Sequence, residues 1–369
     1  MLFCEPAQRF YDLNATAALC WLAMAEGLPE SAILEELVDA GAPAAEASNW
    51  WRQSLTMFHA QGFIEGVAGP ERDIPPFDEG LIEGQRLERI PPCVTHRTCR
   101  LFDTRFRLGF TDESAVAGAE SMLAALAEPF DGPADYDITI IGVGGRYLIG
   151  RGMAVVGVAA DLPEVMAKVE NAITLTAIDA TPHILSLHGG VLRKGSCGLL
   201  LPAPSGSGKT TLTVALNNAG WDFGTDEISL LDAETGALRV APLSACIKEG
   251  SWAVLAPRAP ALMEQPVHSR ALRRVRFLPP AGRTIERCEA SHVVFPRYQA
   301  GGPTELRPLS RSAGLQRLLA ECVSVPRRLG ETEAAVLVHW ARQLDFHELV
   351  LSDLDPALKL LSGLAERQR

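Results

Sequence analysis

The chain has 369 residues, 47% of them hydrophobic and 21% charged, which supplies ample core material and excludes disorder over most of its length. Its 34 basic and 45 acidic residues leave a net charge of −11, which argues against a general nucleic-acid or anionic-membrane binder. At roughly 150 residues per domain, the length implies two or three domains.

No apolar run approaches the roughly 18 residues that span a bilayer. The start, Met1-Leu2-Phe3-Cys4-Glu5-Pro6, lacks the basic-then-apolar order of a signal peptide. A cytoplasmic location is expected. The eight cysteines, at 4, 20, 93, 99, 197, 246, 288 and 322, form neither a disulfide framework nor a Cys-x-x-Cys pair. Cys93, His96 and Cys99 offer three soft ligands, but no fourth group stands at a zinc spacing. Ordinary thiols are the expectation.

In chain order, residues 1–70 read as helical. Asn14 is a natural N-cap for a helix over 15–26 carrying Leu19, Trp21 and Leu22, and Gly27 ends it. Pro29 opens a second helix, with Ile33, Leu34, Leu37 and Val38 at helical spacing. A third begins near Pro43, carries Trp50, Trp51, Leu55 and Phe58, and stops at Gly62, ahead of a short strand over 63–67. Three short helices and a strand resemble a winged helix-turn-helix.

Prolines and glycines punctuate 71–92, which reads as a linker. Residues 93–185 read as a mixed α+β subdomain. In it, 100–110 alternates, 114–127 is helical, and 136–141 pairs with 146–149 across Gly144-Gly145. The string Gly142-Val143-Gly144-Gly145-Arg146-Tyr147 tempts a dinucleotide-binding reading, but Tyr147 stands where the third glycine belongs and strands flank both sides. That reading is rejected. Residues 186–369 read as an α/β domain. Its tail carries helices around 315–319 and 334–342, a strand at 349–351 and a last helix after Asp353.

The strongest signal lies in this last domain. An apolar strand over 196–201 leads into Ala203-Pro204-Ser205-Gly206-Ser207-Gly208-Lys209-Thr210 and a helix stopped by Gly220. This is the phosphate-loop pattern, with alanine for its first glycine, in the strand–loop–helix setting it requires. Gly206 and Gly208 let backbone N–H groups converge on phosphate oxygens, and the following helix points its positive end at the anion. Lys209 is expected to reach the β- and γ-phosphates of ATP, and the Thr210 hydroxyl to hold Mg²⁺. Ser205, Ser207 and Thr211 complete the expected nucleotide-binding set. Asp226-Glu227 follows, Asp226 lying 17 positions beyond Lys209, about one helix and one returning strand away. Two adjacent carboxylates facing a phosphate loop divide the labour: one holds Mg²⁺ and the other accepts the proton of an attacking hydroxyl.

Residues 186–232, from Ser186-Leu187-His188-Gly189-Gly190 through the loop to Thr225-Asp226-Glu227, resemble the HPr kinase/phosphorylase fold, shared distantly with phosphoenolpyruvate carboxykinase. The resemblance implies an ATP- and Mg²⁺-dependent phosphotransferase. By it, Asp226 is the candidate general base and Glu227 with Thr210 the metal site, the two acids' roles being exchangeable, and His188 lies near the phosphates. Two departures stand out: Glu227 replaces the usual aspartate, and the family's Glu-Val-Ala-Ala-Met-Asn signature has no counterpart. Instead, Ala245-Cys246-Ile247-Lys248-Glu249-Gly250-Ser251-Trp252 and Arg273-Arg274-Val275-Arg276-Phe277-Leu278-Pro279-Pro280 look like HPr-kinase-related proteins of peptide-modification systems. Lys248 is a candidate phosphate or substrate contact.

Residues 1–69 hold nine acids and two bases, a balance hostile to DNA. Phe10-Tyr11-Asp12-Leu13-Asn14-Ala15-Thr16-Ala17-Ala18, Trp21, Trp50-Trp51 and Gly62-Phe63-Ile64 are similar to the small chaperone of pyrroloquinoline-quinone biosynthesis, a recognition element for ribosomally made, modified peptides. Such elements take an extended leader peptide as an added strand. The expected function is therefore a kinase of a Ser or Thr hydroxyl on a peptide precursor, its leader read by residues 1–70. Two alternatives stay open: a kinase of a small HPr-like carrier protein, and a nucleotide-gated peptide chaperone without transfer chemistry. Neither nucleic acid nor a membrane is an expected partner, and a homo-oligomer is left open.

Overall fold

The structure is a computed structural model that describes residues 2–4, 9–11, 15–60, 83–130, 132–204, 206–271, 273–320, 322–324 and 330–367. It divides into two units, Met1–Pro76 and Phe77–Arg369.

In the first unit the strands Leu2–Cys4 and Arg9–Tyr11 pair antiparallel, and helices Ala15–Ala25, Glu30–Asp39 and Ala44–Ala60 follow. The helical spacing of apolar residues places Cys20, Ile33, Leu37, Trp51 and Phe58 in one core. Trp21 meets Phe58 edge-on, ring centroids 5.2 Å apart. Extended Pro29 caps the second helix, as a residue with fixed φ and no N–H to satisfy does well. The expected strand over 63–67 and the Asn14 cap lie outside the described residues.

The second unit is mixed α/β. Its largest sheet runs Arg287–Cys288, Leu238–Val240, Ile228–Leu231, Ser186–Lys194, Cys197–Pro202, His292–Tyr298, Asp345–Leu351, Glu305–Leu309, with Asp222–Thr225 and Cys322–Ser324 also paired to Ser186–Lys194. His292–Tyr298 runs parallel to both its neighbours; the other pairs are antiparallel. Cys197–Pro202 is buried at all six positions, as expected for a central strand covered on both faces. A three-stranded antiparallel sheet orders Ala245–Lys248, Arg273–Leu278 and His268–Arg270.

A five-stranded sheet joins Thr95–Leu101, Thr104–Phe110, Tyr136–Val143, Arg146–Arg151 and Ala154–Ala159 in that order. The alternation over 100–110 is not one strand but the meeting of two. The chain reverses at Phe102, whose φ is +53, a turn that no glycine or proline announces. The helix expected over 114–127 ends early, as a short 3₁₀ turn at Glu113–Ala115 and an α-helix at Val116–Leu123. Gly144 and Gly145, at φ +58 and +83, turn the hairpin Tyr136–Val143/Arg146–Arg151, so the glycine string is a tight turn.

Residues read as linker also join this sheet: Leu87 is buried, and the backbone of Gln85 and Leu87 bonds Val155 and Met153. An exposed sheet edge takes up any extended neighbour that offers its N–H groups. The helix Leu162–Ala180, capped by the Asp161 carboxylate, buries ten residues against this sheet. Its core continues into Ile228, Leu230, Val275 and Phe277. Residues 93–185 thus share a core with the later chain, because one face of a sheet needs a cover from elsewhere. No helix among the described residues is long and apolar enough to cross a membrane.

Candidate functional site

The buried strand Cys197–Pro202 delivers the loop 203–208 to the N-terminus of the helix Lys209–Asn218. Gly206 and Gly208 have φ of +91 and +90, a backbone that L side chains rarely adopt. Gly208 is the N-cap, and its carbonyl takes the first helical hydrogen bond from Leu212. The loop is pinned from outside by the Tyr298 N–H donating to the Ser207 carbonyl at 3.1 Å. The first helical turn, whose N–H groups have no partner within the helix, borders an open cleft of ≈ 630 Å³ lined by Gly208, Lys209, Thr210 and Thr211, the geometry in which a helix end receives an anion.

Strand pairing brings the acidic pair to this loop. Asp222–Thr225 and Ile228–Leu231 both pair with Ser186–Lys194, and Ile228 stands opposite His188. Asp226 and Glu227 occupy the turn between them. The Thr225 hydroxyl accepts the Glu227 N–H at 3.2 Å, and the Gly189 N–H donates to the Glu227 carbonyl at 3.2 Å. The turn is held at both ends.

The buried side chain of Lys209 donates from Nζ to His188 Nε2 at 2.6 Å and to the Asp226 carbonyl at 3.3 Å. His188 also bonds the Glu227 backbone. An imidazole that accepts from lysine at Nε2 carries its proton at Nδ1. Burial first, then the neighbouring lysine, depress its pKa to about 4. His188 is a neutral prop for Lys209.

The two carboxylates part company here. Asp226 is 4% exposed and accepts the Thr210 hydroxyl; burial, only partly offset by Lys209, raises its pKa to about 6. Its Oδ1 is buried with no partner among the described residues. Glu227 lines the cleft and pairs with Arg270, Nη2 to Oε1 3.1 Å. Burial would raise it, but Arg270 first and then Lys209 outweigh that and hold it below the usual carboxylate range. Arg270 also holds Glu170 of the helix Leu162–Ala180, Nη1 to Oε2 2.8 Å.

The expected site residues therefore converge for the most part. His188, Gly206, Gly208, Lys209, Thr210 and Thr211 line the cleft, as do Glu227 and Lys248. Asp226 sits behind the wall, reached through Thr210. Thr211 spends its hydroxyl on Ser251, at 2.8 Å. Ser207 Oγ is buried with no partner among the described residues, and Ser205 lies outside them. Lys248 ends its strand at the cleft, its pKa lowered by burial and then by Arg273. Arg270 and Glu170 escaped the sequence reading: neither belongs to a motif, and 100 positions separate them. The one signal for them is a glutamate at helical spacing among Val165, Met166, Val169 and Ile173, in a segment that the sequence reading did not assign to a helix.

Among the described residues, no three His, Cys, Asp or Glu groups are grouped to hold a metal ion. The oxygen donors present, the Thr210 hydroxyl and one or two carboxylates with an orphaned Oδ1, still suit Mg²⁺, which takes few protein ligands and completes its shell with phosphate oxygens and water. Elsewhere, Cys99 is fully buried and burial pushes its thiol up to about 12.

No known family profile matches the chain, and no curated protein matches it. Among solved structures it is similar to the Hpr(Ser) kinase/phosphatase from Coxiella burnetii, at 10% sequence identity over 50% of this chain and 95% of that one, with a TM-score of 0.25. The site's reading rests on its own geometry.

Proposed function

We propose that the second unit is an ATP- and Mg²⁺-dependent phosphotransferase acting on a hydroxyl of a ribosomally made peptide precursor. The observation that carries the reading is one juxtaposition: a helix N-terminus with Lys209 and Thr210, and a buried carboxylate, Asp226, with an unpartnered oxygen at the same corner. An anion-receiving loop alone would suit mere binding; a carboxylate able to take a proton near neutrality adds chemistry.

In this reading, loop N–H groups and Lys209 hold the β- and γ-phosphates, His188 keeping the lysine in place. Thr210 and Glu227 would hold Mg²⁺, which would supply charge neutralisation to the phosphates. The acceptor hydroxyl's proton passes to Asp226 through the Thr210 hydroxyl that Asp226 already accepts. As it passes, the acceptor oxygen bonds to the γ-phosphorus and the bond from that phosphorus to the β-phosphate oxygen breaks, releasing ADP. Glu227, saturated by Arg270 and held low, is the poorer base and the better cation ligand. Lys248, at the cleft's edge, contacts the acceptor or its phosphate. The likeness of residues 1–69 to peptide-recognition elements supports leader binding by the first unit, and their acidic balance argues against nucleic acid there.

The test is the intact mass of candidate precursor peptides and small carrier proteins incubated with ATP and Mg²⁺. A phosphoryl increment on a peptide is expected with the wild type and none with Lys209→Ala, whose circular dichroism should be unchanged. An increment only on a carrier protein would reassign the substrate. Equal turnover by Lys209→Ala would remove the phosphate-loop reading.

A further inference from the structure

Glu170 lies midway along the helix Leu162–Ala180, among the apolar residues Val169, Ile173 and Met166 that cover the five-stranded sheet. Its side chain is 3% exposed. A carboxylate sealed at such a place needs a fixed partner, because a buried charge left alone is far costlier than the pair. The partner is Arg270, which arrives from the three-stranded sheet, and the same guanidinium reaches Glu227 in the cleft. Arg270 is thus held by one edge in the interior and presents the other to the ligand space. One guanidinium faces two carboxylates, and only one of them, Glu227 at 30% exposure, is open to an incoming cation.

Resting on the phosphotransfer reading, we propose that Glu170 is a positioning residue: it anchors one edge of Arg270 so that the other edge passes from Glu227 to a phosphate oxygen of the bound nucleotide when Glu227 turns to the divalent cation. A cation at Glu227 removes Arg270's reason to stay there, and phosphate supplies an anion of matching fork geometry. Glu170 keeps the guanidinium from following its released edge into solvent. The helix that covers the accessory sheet thereby contributes to the chemistry without touching the substrate.

The experiment measures Mn²⁺ binding by the full-length protein without nucleotide, alongside ATP-dependent transfer kinetics. Glu170→Gln keeps the shape and removes the charge, so Arg270 falls wholly onto Glu227. Mn²⁺ binding should weaken, and kcat should drop roughly 10–100-fold with KM for ATP nearly unchanged, as is usual when an outer partner of a ligand is lost. Arg270→Lys can satisfy Glu170 but cannot span both acids. It should lower kcat as well, yet tighten Mn²⁺ binding because Glu227 is freed. Opposite signs on cation binding are what positional coupling demands and general damage does not produce. A Glu170→Gln variant with wild-type kcat and Mn²⁺ affinity, or two variants that shift Mn²⁺ binding in the same direction, would overturn the proposal. A wild-type protein that binds neither ATP nor Mn²⁺ would instead overturn the phosphotransfer reading beneath it.

Discussion

At the scale of single residues, neighbours in sequence acquire different chemistry. Asp226 and Glu227 are interchangeable in the string Thr225-Asp226-Glu227-Ile228, yet one is buried against Thr210 and the other is paired with an arginine. Because burial raises Asp226 to about 6, it is ionised and able to accept a proton above that pH and is protonated below it. Transfer measured as kcat/KM should therefore fall as pH drops through about 6. Asp226→Asn should abolish that limb and lower transfer by at least about 10² while ATP titrates normally. A variant with wild-type turnover would move the base to Glu227.

At the scale of elements, the turn joining Ile228–Leu231 to Leu238–Val240 shows how a sheet is held beside the site. Asp232, 3% exposed in its side chain, accepts from the N–H groups of Glu234 at 3.0 Å and Thr235 at 2.9 Å, and from Arg239 Nε at 2.6 Å. Burial opposes its ionisation, but these donors outweigh it and hold the carboxyl at about 2. The folded value lies below the unfolded one, so the stabilisation is complete above about pH 4 and is lost as pH falls from there to about 2. Two units correspond to about 2–3 kcal/mol. Asp232→Asn should cost about that much in urea unfolding at pH 7 and leave ATP binding unchanged. An unshifted midpoint would mean that the turn is held by its backbone alone.

At the scale of the whole molecule, the unit Phe77–Arg369 carries its own cores and the entire candidate site. A protein beginning at Phe77 should keep ATP binding. If the first unit reads a leader, truncation should remove most activity on full-length precursor, since a tether contributes up to about 10²–10⁴ in overall affinity and no chemistry. Activity on the isolated acceptor segment should stay near that of the intact protein. Aggregation or a lowered melting temperature of the truncated protein would mark residues 1–76 as a structural cover. Equal loss on both substrates in a folded truncation would also count against leader reading.

The phosphate loop, its helix, the acidic pair and the three N-terminal helices were legible in the sequence because each is local. Glycine at positive φ, apolar residues at helical spacing and a lysine after a glycine act within a few positions of one another. The chain reversal at Phe102 was not, since no glycine or proline marks that turn, and the edge pairing of Gln85 and Leu87 was not, since its backbone partners lie tens of residues away. Nor was the division between Asp226 and Glu227, or the link Glu170–Arg270–Glu227. Charge partners are chosen by strand register and helix packing, and burial, which sets how strongly those charges interact, exists only once distant segments have closed over them.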